Sequence, residues 1–143
     1  MKNEQGAPIM AGPGKIFLVD DLESSRMFHR VVCNRLFPDA EIFEARNGVE
    51  ALKIINEAGP LSAKDVLVTD CRMPRIDGAT DGLTLISNIK SMKLPILVAM
   101  LSGSQDSLDK AEELGAGLCM LKDGDFHSFW EIVAQWILFR QSV

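Results

Sequence analysis

The chain has no apolar run approaching the ~20 residues needed to cross a bilayer. Residues 1–14 hold two prolines and three glycines and lack the apolar core of a signal peptide. A soluble, cytoplasmic protein with no membrane insertion is therefore expected, with a flexible tail over residues 1–14. Cysteine is scarce: Cys33, Cys71 and Cys119 make an odd count with no CxxC spacing, which excludes a disulfide framework and a zinc site and fits a reducing compartment. The 15 basic residues are scattered through a chain of net charge −5, so no basic stripe argues for direct nucleic-acid binding. There are no internal repeats and no low-complexity tracts. At 143 residues one domain is expected, over 15–143, burying roughly two-thirds of the surface its unfolded form exposes. A second domain has no room beside it.

Short apolar runs alternate with helical patterns about five times. Strands are expected at 15–19, 40–44, 65–69, 95–100 and 117–121, and the alternation predicts an α/β fold with a parallel sheet covered on both faces. The first helix is expected to start at Ser24 as N-cap, with Met27, Phe28, Val31, Val32 and Leu36 on its buried stripe. The second follows Gly48, with Val49, Leu52 and Ile55 inward, and stops near Gly59-Pro60. A third runs from about Gly82 with Leu83, Ile86 and Ile89. The fourth carries Leu108, Ala111 and Leu114 and ends at Gly115, and the fifth runs from Phe126 towards Arg140.

The chemistry gathers at strand ends. The run Ile16-Phe17-Leu18-Val19 ends in Asp20-Asp21, Val66-Leu67-Val68-Thr69 ends in Asp70, and the run from Gly117 to Leu121 ends in Lys122. In a parallel sheet such ends converge on one crevice. A single aspartate there is commonly only a helix cap, but Asp20 and Asp21 are adjacent, only one can cap, and Ser24 suits that role better. Three carboxylates in one crevice repel each other, so the site must shift their pKa values or hold a cation. Magnesium, held by one or two carboxylates with water and phosphate oxygens, suits an acidic pair beside a phosphate acceptor. Lys122 then offers a point charge to phosphoryl oxygens.

With Met73-Pro74 and Asp77-Gly78 after Asp70, Ser102 closing Ile96-Leu97-Val98-Ala99-Met100-Leu101, and Gly115-Ala116 leading to Lys122, the chain resembles the receiver domain of two-component response regulators, of the chemotaxis-regulator-like kind, over nearly all of 15–140. The resemblance implies a flavodoxin-like, doubly wound sheet of order 2-1-3-4-5 with five helices. It implies Asp70 as phosphoacceptor, and Asp21, Asp70 and the Arg72 carbonyl as Mg2+ ligands, with Asp20 acting mostly through water. Ser102 is implied to bond the phosphoryl group and Lys122 to pair with it. The phosphoryl donor is then a histidine kinase or phosphotransfer protein, and the chain a phosphoacceptor that catalyses its own phosphorylation and dephosphorylation rather than a metabolic enzyme. Two alternatives are a receiver-fold interaction module with weakened or absent phosphorylation, and a Mg2+-dependent aspartyl-phosphate hydrolase. The second needs a substrate pocket and usually a cap domain, for which the chain has no residues to spare.

Departures from the pattern are Asp123-Gly124 where a proline usually follows the lysine, Cys119 where an aromatic switch is common, and about four additional residues in the loop 75–84. The fifth helix carries a second apolar stripe, Ile132, Trp136 and Phe139, expected to form a self-dimer or target-protein interface next to the fourth helix and the strand holding Cys119. His29 and His127 are isolated and expected to face solvent.

Overall fold

The computed structural model describes residues 12–70, 82–122 and 125–142. Strands β1 (Lys15–Val19), β2 (Glu41–Ala45), β3 (Val66–Asp70), β4 (Leu97–Ser102) and β5 (Leu118–Leu121) alternate with helices α1 (Glu23–Leu36), α2 (Gly48–Glu57), α3 (Gly82–Ser91), α4 (Gln105–Glu113) and α5 (Phe126–Ser142). The five strands form one sheet of order β2-β1-β3-β4-β5, and every neighbouring pair is parallel.

Side-chain alternation divides the core into two layers. Phe17, Val19, Leu67, Val98 and Met100 pack beneath α2, α3 and α4, whereas Ile16, Leu18, Val68, Ala99 and Leu101 pack beneath α1 and α5. Because β3 and β4 are covered on both sides, they read as continuous apolar runs rather than as alternating ones. β1 keeps its expected bounds, and pairing shifts those of the other strands by one or two residues. Asp70 thereby becomes the last paired residue of β3, opposite Leu101. Gly14 already belongs to the fold, donating its N–H to the Lys64 carbonyl at 3.0 Å and accepting from Glu41 N at 2.9 Å. Gly14, expected in the tail, is thus part of the fold, and residues 1–11 lie outside the described residues.

The first helix departs most from the sequence expectation. Its cap position is Leu22, without a side-chain cap bond, and Ser24 lies inside the helix. The N–H of Leu22 is satisfied instead by Asp20 Oδ1 at 2.9 Å. The buried face is His29, Cys33 and Leu36, while Met27, Phe28 and Val31, predicted inward, are exposed, Phe28 by 65 %. His29, predicted to face solvent, is only 5 % exposed. The cause lies on α5: Trp130 donates its indole N–H to His29 Nδ1 at 2.8 Å, and the Phe126 ring stacks on the imidazole at 4.0 Å. A buried polar ring is tolerated where its hydrogen bond is made, and that partner is 101 positions away in sequence. His127 does face solvent, its Nδ1 2.8 Å from Glu131.

The other helices follow their predicted faces with smaller changes. In α2, Gly48, Ala51 and Ile55 are buried and Val49 is exposed. Asn47 caps it by accepting from Glu50 N at 2.9 Å, and Glu50 reaches back to Arg46 N at 3.2 Å. Leu114 sits at the C-cap of α4 and is exposed, after which Gly115 takes φ 102°, a left-handed turn that favours glycine.

Burial of His29 has a pH consequence. Loss of hydration holds the imidazole well below its ordinary 6.5, at about 4, against the nearby Asp20 charge, with Lys122 adding to the depression. Between those values the unfolded chain binds the proton that the folded chain refuses, so stability present above pH 6.5 falls as pH drops towards 4. The full loss is expected to be about 3 kcal/mol, read by urea unfolding across that window. A His29→Gln protein is expected to show a flatter profile, and equal slopes in both proteins would remove His29 as the cause.

Candidate functional site

The order β2-β1-β3-β4-β5 reverses direction between β1 and β3, and ligand crevices of open α/β sheets form at the carboxyl ends of strands at such a point. Val19 pairs with Thr69 across that boundary, so the next residues, Asp20 and Asp70, emerge side by side. Asp21 follows in the turn. Oxygens of Asp20, Asp21 and Asp70 all lie within 4.8 Å of one another. Lys122 arrives from the far side of β4: its backbone N–H extends the β5 ladder to the Ser102 carbonyl at 2.8 Å. Its ammonium reaches back to Asp20 Oδ2 at 3.3 Å and Asp70 Oδ2 at 3.4 Å.

Lys122 neutralises one of three carboxylates, so negative charge remains in excess. Burial works against the Lys122 ammonium, but Asp20 and Asp70 outweigh it and push its pKa up. The Asp21 carboxyl is also raised, first by desolvation and then by its hydrogen bond to, and the charge of, Asp20. Three hard oxygen donors with uncompensated charge fit a small divalent cation.

Asp20 is braced on every side. Besides the Leu22 N–H, its own carbonyl accepts from Arg26 Nη1 at 2.7 Å. Arg26 Nε in turn donates to Glu44 of β2 at 3.1 Å, and Arg30 donates to the other Glu44 oxygen at 2.9 and 2.6 Å. Arg26, His29, Asp20, Asp70 and Lys122 border a recess of ≈ 10 Å³, the size of about one water. Arg26, His29 and Glu44 were not singled out in the sequence as site residues. The available signal was the Arg26, His29, Arg30 spacing, which sets all three on one flank of a helix beginning at the acidic pair.

Ser102 is buried at the end of β4, and its hydroxyl accepts from Ser104 N at 3.2 Å within its own turn. Arg72, Met73-Pro74, Asp77-Gly78, loop positions 75–81 and Asp123 lie outside the described residues, as does Cys71. The α5 stripe is open: Ile132, Gln135, Trp136 and Phe139 line a groove of ≈ 330 Å³, with the Trp136 and Phe139 rings edge to face at 6.0 Å. Cys119 is not part of it. Its side chain packs into the layer under α2, α3 and α4, on the opposite face of the sheet from α5. Burial, followed by the charges of Glu112 and Asp109, raises its thiol pKa, which suits a packed, inert thiol.

A doubly wound domain with an acidic centre and a lysine at its switch point is thus the class to which fold and site assign the chain. It belongs to the response regulator receiver domain family, whose profile matches residues 16–134. It is 31% identical over 110 residues to a protein-glutamate methylesterase/protein-glutamine glutaminase of Pyrococcus horikoshii, covering 76% of this chain and 28% of that protein. It is also 31% identical over 103 residues to BvgA of Bordetella pertussis, by name a transcription regulator of virulence factors, covering 72% of this chain and 45% of the relative. The chain thus spans less than half the length of these curated relatives. A response regulator receiver domain protein from Clostridium thermocellum superposes with a TM-score of 0.73 at 21% identity, over 90% of this chain and 98% of that one. Among the described residues no helix is long and apolar enough to cross a membrane.

Proposed function

We propose that Asp70 accepts a phosphoryl group from the phosphohistidine of a histidine kinase or histidine phosphotransfer protein in the cytoplasm, and that the phosphorylated domain signals through protein contacts. The observation that carries this is the meeting of Asp70 with Lys122 at 3.4 Å inside the acidic cluster. Phosphoryl transfer asks for an in-line nucleophile and for neutralisation of oxygen charge. An Asp70 oxygen attacks phosphorus, the P–N bond breaks with its electron pair going to the departing imidazole, and an acyl phosphate forms. Lys122, now shared between Asp20 and Asp70, follows the new charge, and the Ser102 hydroxyl, which accepts from Ser104 N, donates its proton to a phosphoryl oxygen. Water later attacks phosphorus, inorganic phosphate leaves, and Asp70 is restored. Asp21, Asp70 and, as the resemblance implies, the Arg72 carbonyl would hold Mg2+, with Asp20 acting through water, and the bound cation would neutralise charge at the phosphoryl oxygens. The test is intact mass after incubation with a small phosphodonor and Mg2+: one added phosphoryl group is expected, and no gain in mass overturns the proposal.

Removing one carboxylate separates cation binding from stability. Asp21→Asn is expected to weaken Mg2+ binding about ten-fold or more, while raising apo stability because repulsion from Asp20 and Asp70 is relieved. Titration followed by thermal melting reads both effects. Unchanged affinity would remove Asp21 from the ligand set.

Output is assigned to the α5 groove, where a partner protein or a second copy covers Ile132, Trp136 and Phe139. Trp136 is 37 % exposed, so Trp136→Ala is expected to weaken association without unfolding the domain, and to lower the melting temperature far less than loss of a fully buried indole. Loss of stability in a protein that never associates would instead place Trp136 in the core.

A further inference from the structure

His29 borders the acidic recess yet has no part in the phosphoryl chemistry above. Its environment fixes its chemical form. An indole N–H can only donate, so the Nδ1 that receives the Trp130 bond at 2.8 Å carries a lone pair. The ring is therefore the neutral tautomer with its proton on Nε2. Packing fixes the ring plane, with Phe126 stacked on it at 14° and Phe129 and Trp130 meeting it edge to face. Among the described residues no side chain or carbonyl bonds Nε2, and no sealed side-chain polar atom lacks a partner. The space beside the ring is the water-sized recess, which it lines together with Asp20, Arg26, Asp70, Lys122 and apolar residues of β1, β3 and β4.

We propose that His29 is a positioning residue of the phosphoacceptor site: its Nε2–H, set in direction by the Trp130 hydrogen bond, donates to a water in the recess, and that water bonds the Asp20 carboxylate and steadies it in the geometry the cation and Lys122 require. The proposal rests on the phosphoacceptor assignment of the same site. A neutral donor suits the position, because a second cation beside Lys122 would compete with the metal for the excess negative charge. Burial keeps the ring neutral at physiological pH. The Trp130–His29 hydrogen bond also ties α5, which carries the groove, to α1, the helix that follows the acidic turn, in a chain that has Cys119 where an aromatic switch is common.

Two substitutions separate positioning from packing. His29→Phe keeps an aromatic ring against Phe126 and loses both nitrogens, whereas His29→Gln offers a carbonyl to Trp130 and an N–H to the recess. Mg2+ affinity, measured by titration without any phosphodonor, is expected to fall about five-fold in His29→Phe and to recover in His29→Gln. The NMR resonance of the Trp130 indole N–H, assigned with Trp130→Phe, is expected to shift on Mg2+ addition in the wild type and in His29→Gln but not in His29→Phe. Equal affinity in His29→Phe and wild type, or His29→Gln binding no better than His29→Phe, overturns the proposal. Nitrogen NMR of the wild-type imidazole gives a test that needs no variant: a proton on Nδ1 also overturns it. A wild type that binds Mg2+ but gains no phosphoryl group removes the phosphoacceptor assignment, while the affinity order still decides the role of His29.

Discussion

Replacing Asp70 by asparagine is expected to abolish phosphoryl labelling completely while leaving the domain folded. The amide keeps the shape of the side chain at the end of β3 but cannot supply the anionic oxygen that attacks phosphorus. It also removes one of the two carboxylates that hold the Lys122 ammonium, at 3.3 Å from Asp20 and 3.4 Å from Asp70. Asp20 and Asp21 remain in the variant, yet neither occupies the last paired position of β3 beside Lys122. Intact mass with a small phosphodonor and Mg2+ reads the result directly. A phosphoryl group retained by Asp70→Asn would move the acceptor to another residue, and peptide mapping would locate it.

Trp130→Ala is expected to cost about 3–5 kcal/mol of stability from the lost burial of a large aromatic side chain, with a further ~1–3 kcal/mol from leaving His29 Nδ1 unpaired. Trp130 is 0 % exposed and meets Phe129 at 5.3 Å and Phe37 at 6.2 Å. Domains of this kind carry only about 5–15 kcal/mol in all, so the variant should melt roughly 10 °C or more below the wild type. Trp136→Ala is the internal contrast, since six positions along the same helix the indole lies in the open groove rather than in the core. Equal melting shifts in the two variants would contradict the division of α5 into a buried and an open face.

That division was legible in the pattern of α5, where Phe126, Phe129, Trp130, Val133 and Ile137 fall on one arc and Ile132, Trp136 and Phe139 on another. The same kind of pattern misled on α1. Of the expected stripe, Leu36 is buried and Val32 partly buried, but Met27, Phe28 and Val31 are exposed, because a periodicity argument ranks faces by side-chain hydrophobicity alone. The face buried in the structure is the one whose imidazole meets the Trp130 indole N–H and whose small Cys33 packs into the layer shared with α5. Neither fact is local to the helix.

The residues themselves determined the apolar central strands, the helices between them, and the acids and lysine at the strand ends, because central parallel strands are apolar along their whole length and stop where polar groups can reach solvent. The strand order came from the resemblance to receiver domains rather than from any residue pattern. Only the tertiary structure decided that Lys122 bridges Asp20 and Asp70, that Arg26 and Glu44 brace the acidic turn, that His29 is buried against Trp130, and that Cys119 and Trp136 lie on opposite faces of the sheet. The contacts of Lys122 with Asp20, of Arg26 with Glu44 and of Trp130 with His29 join residues far apart in the chain. Periodicity fixes which side chains share a face of one element, whereas the choice of face and the hydrogen bonds across it depend on the element packed opposite.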